Sequence, residues 1–207
     1  MTEHEKSTEE TIFIAAQQVF IQKGFDGARM QEIATIAGIN KALLHYYYRT
    51  KEKLFAAIFD RIIGNVIPRI ITFLNSDTPI IEKIEFFVNT YIDLLLRNPF
   101  IPQFILNEIN RDPDRIAQLL SNHISKNNAF EKFSALVDEE VKNGNIHPIT
   151  AEQLIVNMLS MCIFPFVARP IIQGVFFNND KSQYLEFIES RKKEVTSFII
   201  RAIKIEK

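Results

Sequence analysis

The chain has 207 residues, of which 47% are hydrophobic and 24% charged, with a net charge of −1. That is the composition of an ordinary globular protein with room for one large domain or two small ones, and it excludes disordered, collagen-like and low-complexity chains. A single cysteine, Cys162, excludes an intramolecular disulfide framework and a cysteine-rich zinc module, and it fits a reducing compartment.

Helical periodicity runs along the whole chain. Ser7-x-x-Glu10 has the form of a capping box, and Ile12, Ala15, Ala16, Val19 and Phe20 follow on one face. Gly24 stands where a glycine would end that helix. Met30, Ile33, Ala34 and Ala37 mark a short second helix, stopped by Gly38. Asn40 is placed to cap a third helix and Thr50 a fourth. The fourth is long, with Leu54, Phe55, Ile58, Phe59 and Ile62 on one face. Gly64 and Pro68 predict a bend or break in it, and they are its candidate hinge points. Beyond it, Thr78-Pro79, Asn98-Pro99 and Asp112-Pro113 each read as a cap followed by proline in the first helical position. Gly144 closes a helix, Thr150-x-x-Gln153 opens the next, and Asp180-x-x-Gln183 opens the last. No alternating strand, hairpin signal or internal repeat is visible. The expected fold is therefore all-α. A three-helix module over 1–50 is joined, by the helix starting at 51, to a helical body over 51–207.

No targeting segment is expected, since 1–11 is acidic and polar without an apolar core. The stretch 153–168 is uncharged and apolar but carries Asn157, Ser160 and Pro165, and a membrane span needs about 20 mostly apolar residues. A cytoplasmic protein without membrane contact is the expectation.

Function is concentrated in 30–48. An amphipathic helix ends at Gly38, and a three-residue turn leads into a second short helix, which is helix-turn-helix form. In that second helix Leu44 and Tyr48 share one face and should point into the module. Lys41, His45 and Arg49 share another, with Ala42 and Tyr46 beside them. A basic and aromatic face with a small residue for close approach suits a DNA major groove. The window 23–53 carries Lys23, Arg29, Lys41, Arg49, Lys51 and Lys53 against Asp26, Glu32 and Glu52, a local positive excess inside a slightly acidic chain. Lys51 falls in the first turn of the fourth helix, where a cation opposes the helix dipole. Its presence there suits a phosphate held jointly by the ammonium and the helix N–H groups.

The run from Gly24-Phe25 through Met30-Gln31-Glu32-Ile33-Ala34, Ala37-Gly38-Ile39-Asn40-Lys41-Ala42-Leu43-Leu44-His45-Tyr46-Tyr47-Tyr48 to Lys51-Glu52-Lys53-Leu54-Phe55 resembles the DNA-binding domain of TetR-family bacterial transcriptional regulators. The resemblance covers about 8–59. It implies DNA contacts at Gln31, Lys41, Ala42, Leu43, His45 and Tyr46, phosphate contacts at Tyr47 and Lys51, and Asn40 as the cap of the recognition helix. Two positions depart from the family pattern. Ala28 and Arg29 stand where a Thr or Ser usually caps the second helix, so Arg29 offers a cation near DNA and Asp26 a cap from further back. Leu43 stands where a hydroxyl residue is common.

The rest of the chain shows no motif, which fits the family's ligand-binding and dimerisation domain. The resemblance implies a homodimer on a pseudo-palindromic double-stranded operator, acting as a repressor. The stripe of Val195, Phe198, Ile199, Ala202 and Ile203 in the last helix, with Met161 in the helix from Thr150, is the candidate dimer face, and single-chain core packing is its alternative. For a small apolar or aromatic effector the candidates are Phe87, Tyr91, Phe104, Asn107, His123 and Asn157, apolar residues with a few polar ones among them. No catalytic residue, metal or cofactor is expected. No nucleophile elbow, phosphate loop or metal-ligand spacing occurs, and no Glu is followed by His three residues on. A helical adaptor with a vestigial DNA module is the other reading weighed, and the intact basic and aromatic helix argues against it.

Overall fold

A computed structural model describes residues 3–111 and 128–205 and, between them, 113, 114, 117, 118 and 121, with the backbone alone for 3–7, 63, 66, 69, 104, 105, 107, 108 and 111. Ten named helices occur in this part: α1 (Glu3–Gly27), α2 (Met30–Ile36), α3 (Lys41–Tyr47), α4 (Lys51–Leu74), α5 (Ile80–Arg97), α6 (Ile101–Arg111), α7 (Ala129–Lys142), α8 (Ala151–Val167), α9 (Arg169–Phe177) and α10 (Lys181–Ile203). The fold is all-α. The β-pairing found among the described residues is one isolated bridge between Ile146 and Lys204.

Local cap chemistry sets most helix starts. Asn40 accepts from the Leu43 N–H at 2.7 Å, Thr50 from Lys53 at 3.2 Å and Thr150 from Gln153 at 3.4 Å. Asp180 accepts from both Ser182 and Gln183, at 2.7 and 3.1 Å. Those two N–H bonds hold the Asp180 carboxyl below its ordinary 3.8. The charged cap therefore contributes fully above pH 3.8 and is lost as the pH falls through the lower folded-state value. Asp180→Asn keeps a cap without the charge. Its melting temperature should lose less than the parent's between pH 5 and about 3, read by circular dichroism. Equal losses would mean that the charge contributes nothing.

Four sequence expectations shift. Ser7 lies inside α1, which already begins at Glu3, so its capping box is not a helix start. Gly64 and Pro68 sit within the continuous α4. Proline at 68 deprives the Gly64 carbonyl of its helical donor, and a glycine there leaves room for the ring. Pro79 occupies the cap position of α5, which starts one residue later than expected and has no side-chain cap bond. Asn98 ends α5, its Nδ2 donating to the Leu94 carbonyl at 3.0 Å, and α6 begins only at Ile101. Asp112 lies outside the described residues.

Two apolar cores share α5. The first gathers Ile12, Val19 and Phe20 of α1, Ile33 of α2, Leu44 of α3 and Leu54, Phe55, Ile58 and Phe59 of α4. It also takes Leu94, Leu95, Phe100 and Ile101 from the body. Phe55 is its centre, with ring centroids 4.6 Å from Phe20, 5.3 Å from Phe25 and 5.4 Å from Phe100. The second core packs α5 against α7, α8, α9 and α10 through Ile84, Val88, Phe133, Met158, Ile172, Ile188 and Val195. Tyr91 touches both.

Lysines close two helix ends. The Lys83 ammonium, on an almost fully buried side chain, donates to the carbonyls of Phe73, Leu74 and Ser76 at 3.2, 2.9 and 2.5 Å, where α4 ends. Burial lowers its pKa, with Asp77 opposing. Phe73 also accepts from the Ser76 N–H and hydroxyl, at 3.1 and 2.6 Å, so the ammonium adds a charged donor at a helix end whose last carbonyls lack a following turn.

Candidate nucleic-acid interface

The module presents α3 outward. Leu44 is fully buried and anchors the helix, while Lys41, Ala42 and Tyr46 are exposed. Gly38, at φ 66°, makes the turn from α2 that a side chain would strain. Tyr46 is 78% exposed, its ring edge-on to Tyr47 at 5.6 Å. Tyr47 is half-buried against the first core, and so is Tyr48, which caps the end of α3. Burial, helped by Glu9, pushes the Tyr48 hydroxyl pKa up. His45 is half-buried, and its Nδ1–H donates to the Arg49 carbonyl at 3.1 Å, which fixes the ring and leaves Nε2 free to point outward. Leu43 is 36% exposed, so it lies on the α3 surface.

Gln31 is exposed in the first turn of α2. Arg29 stands at the cap position of that helix, extended and without a side-chain cap bond. Asp26 does not cap α2 either; its carbonyl accepts instead from Lys51. The Glu32 carboxylate of α2 takes both its bonds from Lys23 of α1, at 2.7 and 2.9 Å, an exposed ion pair between the two helices.

Lys51 differs from expectation. Its ammonium donates to the carbonyls of Phe25, Ala28 and Asp26 at 2.8, 3.3 and 3.4 Å and lies 4.4 Å from the Phe25 ring centre. A cation unfavourable at the start of its own helix thus serves carbonyls of the 25–28 segment, which follows the break in α1 at Gly24 (φ 68°, ψ −178°). What α4 turns outward at this point is its capped N-terminus rather than that ammonium.

The candidate dimer residues divide. Val195 and Ile199 are buried in the chain's own core, at 1% and 3% exposure, because α10 packs on α5 and α8. Phe198 stays 56% exposed, and Ala202 is exposed beside it. With Met161 and Asn157 of α8 they line one cavity of about 150 Å³. Arg191, which interrupts the apolar stripe, donates to the Met161 carbonyl at 2.8 Å and so ties α10 to α8. Val156 and Phe164 add exposed apolar surface on α8, as do Ile171, Val175 and Phe176 on α9.

Among the described residues the candidate effector residues fall in two places. Phe87 and Tyr91 pack together in the second core with ring centres 5.8 Å apart. Burial raises the Tyr91 hydroxyl pKa, and burial pushes the nearby Cys162 thiol up to about 12, with Arg191 opposing. Asn157 is exposed on the face of Phe198 instead. The side chains of Phe104 and Asn107, and the whole of His123, lie outside the described residues.

Residues 12–58 match the family model described as bacterial regulatory proteins, tetR family. This segment is similar to the DNA-binding domain of TetR-family regulators. The TetR match spans α1 to the first half of α4, the elements that build and orient α3. Among curated relatives, the transcriptional regulator RutR of Escherichia coli K12 is 26% identical over 144 residues, which is 70% of this chain and 66% of that one. The chain thus spans about two thirds of the length of that relative. The transcriptional repressor NicS of Pseudomonas putida is 40% identical over 55 residues, 27% of this chain and 26% of that one. The crystal structure of HlyIIR, a hemolysin II transcriptional regulator, superposes with a TM-score of 0.61 at 23% identity, covering 97% of this chain and 99% of that one. It shares the fold. All three are described as transcriptional regulators or repressors.

Among the described residues no single helix is long and apolar enough to cross a membrane. The pair α8 and α9 reaches the necessary length and composition only jointly, and it bends by 70° between them.

Proposed function

We propose that the chain is a sequence-specific DNA-binding transcriptional regulator of the cytoplasm, a homodimeric repressor released from its operator by a small effector. The observation that carries this is the outer face of α3. Its buried Leu44 already anchors the helix, so Tyr46 at 78% exposure has no packing to do, and Lys41, Ala42 and the free Nε2 of His45 lie on the same short helix. Gln31 and Arg29 at the start of α2, Tyr47, Leu43 and the capped start of α4 flank it. In this reading 1–50 reads DNA and 51–207 dimerises and takes the effector. Phe198, Ala202 and Met161 face the partner, and two α3 helices meet half-sites about 34–36 Å apart or a multiple of that. Helix α4 belongs to both parts and carries the shift between them. An effector releases DNA only by its differential affinity for the two arrangements.

Fluorescence anisotropy at fixed salt, on DNA selected by the purified chain from a randomised pool, tests this. The expected result is saturable, sequence-selective binding with two chains per site. Tyr46→Ala should lose about tenfold in affinity or more, at unchanged melting temperature. Equal binding to all sequences, or no effect of Tyr46→Ala, would overturn the reading.

A further inference from the structure

A cleft of about 500 Å³ opens where the DNA module meets the body, between α1, α4 and α5. One face of α5 forms its floor, from Phe86 through Thr90 and Leu94 to Arg97. At 1.5 Å of rise per residue that floor is about 16 Å long. The ends differ in chemistry. At one end Phe86 stacks on Phe73 with ring centres 3.9 Å apart, and both rings line a second cavity of about 430 Å³ with Pro68 and Thr72. Phe13 of α1 and Ile62 and Asn65 of α4 complete the walls.

The other end is polar, and its unpaired charged group is the Arg97 guanidinium. Asp93 is paired with Lys192 at 2.6 Å, an ammonium that Glu189 shares at 2.6 Å, whereas Arg97 has no hydrogen-bond or ion-pair partner among the described residues. Next to it the Gln17 Nε2 donates to Asn98 Oδ1 at 2.7 Å. An amide nitrogen carries two N–H groups, so one remains for a ligand. A guanidinium and an amide N–H at one end of an apolar trough are the complement of a carboxylate on an apolar tail.

We propose that this junction cleft binds an elongated amphipathic carboxylate, its head on Arg97 and Gln17 and its tail along Leu94, Ile62 and Phe13 toward Phe86. The site differs from the Phe87 and Tyr91 region in the second core. Gln17 belongs to α1 and Arg97 to α5, so one carboxylate bridges the module and the body beside the Gln17–Asn98 bond that already joins them. Its effect on DNA rests on the regulator reading; binding in the cleft does not.

Isothermal titration calorimetry of the full chain, without DNA, tests the site with 6-phenylhexanoate and octanoate, and with 6-phenylhexylamine as the charge-reversed probe. The expected result is one saturable site per chain for the carboxylates, at least tenfold tighter than for the amine. Arg97→Gln should weaken the carboxylates at least tenfold. Thr90→Phe, which fills the middle of the trough, should abolish binding. Both variants are checked for an unchanged helical spectrum, and either one suffices if the other fails to fold. Failure of both carboxylates to bind, binding of the amine with equal strength, or indifference to the folded variant would each overturn the proposal. Anisotropy on the selected DNA then separates the two readings. If 6-phenylhexanoate binds in the cleft but no DNA binds selectively, the regulator reading falls and the cleft stands.

Discussion

Phe55→Ala should destabilise the chain by about 3–5 kcal/mol, and it should do so for the module and the body together. Phe55 is fully buried, and its ring meets Phe20 and Phe25 of α1 and Phe100 of the body. Each such edge or tilted contact adds about 0.5–1.5 kcal/mol beyond simple burial, and the cavity left behind adds its own cost. The same core includes Leu94, Leu95 and Ile101, so 1–50 does not close its core by itself. Differential scanning calorimetry should give one transition, shifted down. Hydrogen exchange should rise in peptides of α2 and α3 and also in α5. The chain's five tyrosines report from both sides, three in α3 and at its end and two in the body, so the near-ultraviolet signal should collapse in one step. A variant in which the module melts early while the second core keeps its melting temperature would show that the cores are thermodynamically separate.

That coupling was the part of the fold least visible in the sequence. The periodic stripes of α1 and α4 and the caps at Asn40, Thr50, Thr150 and Asp180 were legible, because a stripe or a cap is decided within a few residues of chain. Which residues complete a core is decided by what packs on it from elsewhere. Nothing local marks Leu94 or Phe100 as belonging with α1. The last helix shows the same limit. A stripe of Val195, Phe198, Ile199 and Ala202 is wide enough to serve two partners, and only the placement of α5 decides that Val195 and Ile199 face inward while Phe198 and Ala202 stay out. The effector candidates rest on residue type, and type carries no position, so Asn157 lies with Phe198 rather than with Tyr91. The α3 face was legible because a seven-residue helix with one anchor, Leu44, has few ways to turn.

Lys51→Met should lower stability by about 2–3 kcal/mol and leave the salt dependence of DNA binding unchanged. Three carbonyls of the 25–28 segment, past the break in α1 at Gly24, accept from this ammonium, at 2.8, 3.3 and 3.4 Å, and the Phe25 ring lies against it. Hydrogen bonds to a charged group contribute about 1.5–3 kcal/mol, and a part-buried carbonyl left without a donor adds a penalty. Methionine keeps the length and the contact with the ring, so the loss measured is that of the charge. A lysine that neutralised a phosphate would behave in the opposite way. Its removal would lower the slope of log affinity against log salt by about 1 and leave folding almost untouched. Chemical denaturation and an anisotropy salt series on the same variant therefore separate the two roles. A lower slope with unchanged stability would return Lys51 to the phosphate. A stability loss with an unchanged slope would leave the backbone N–H groups of the α4 start, capped by Thr50, to meet the DNA backbone there.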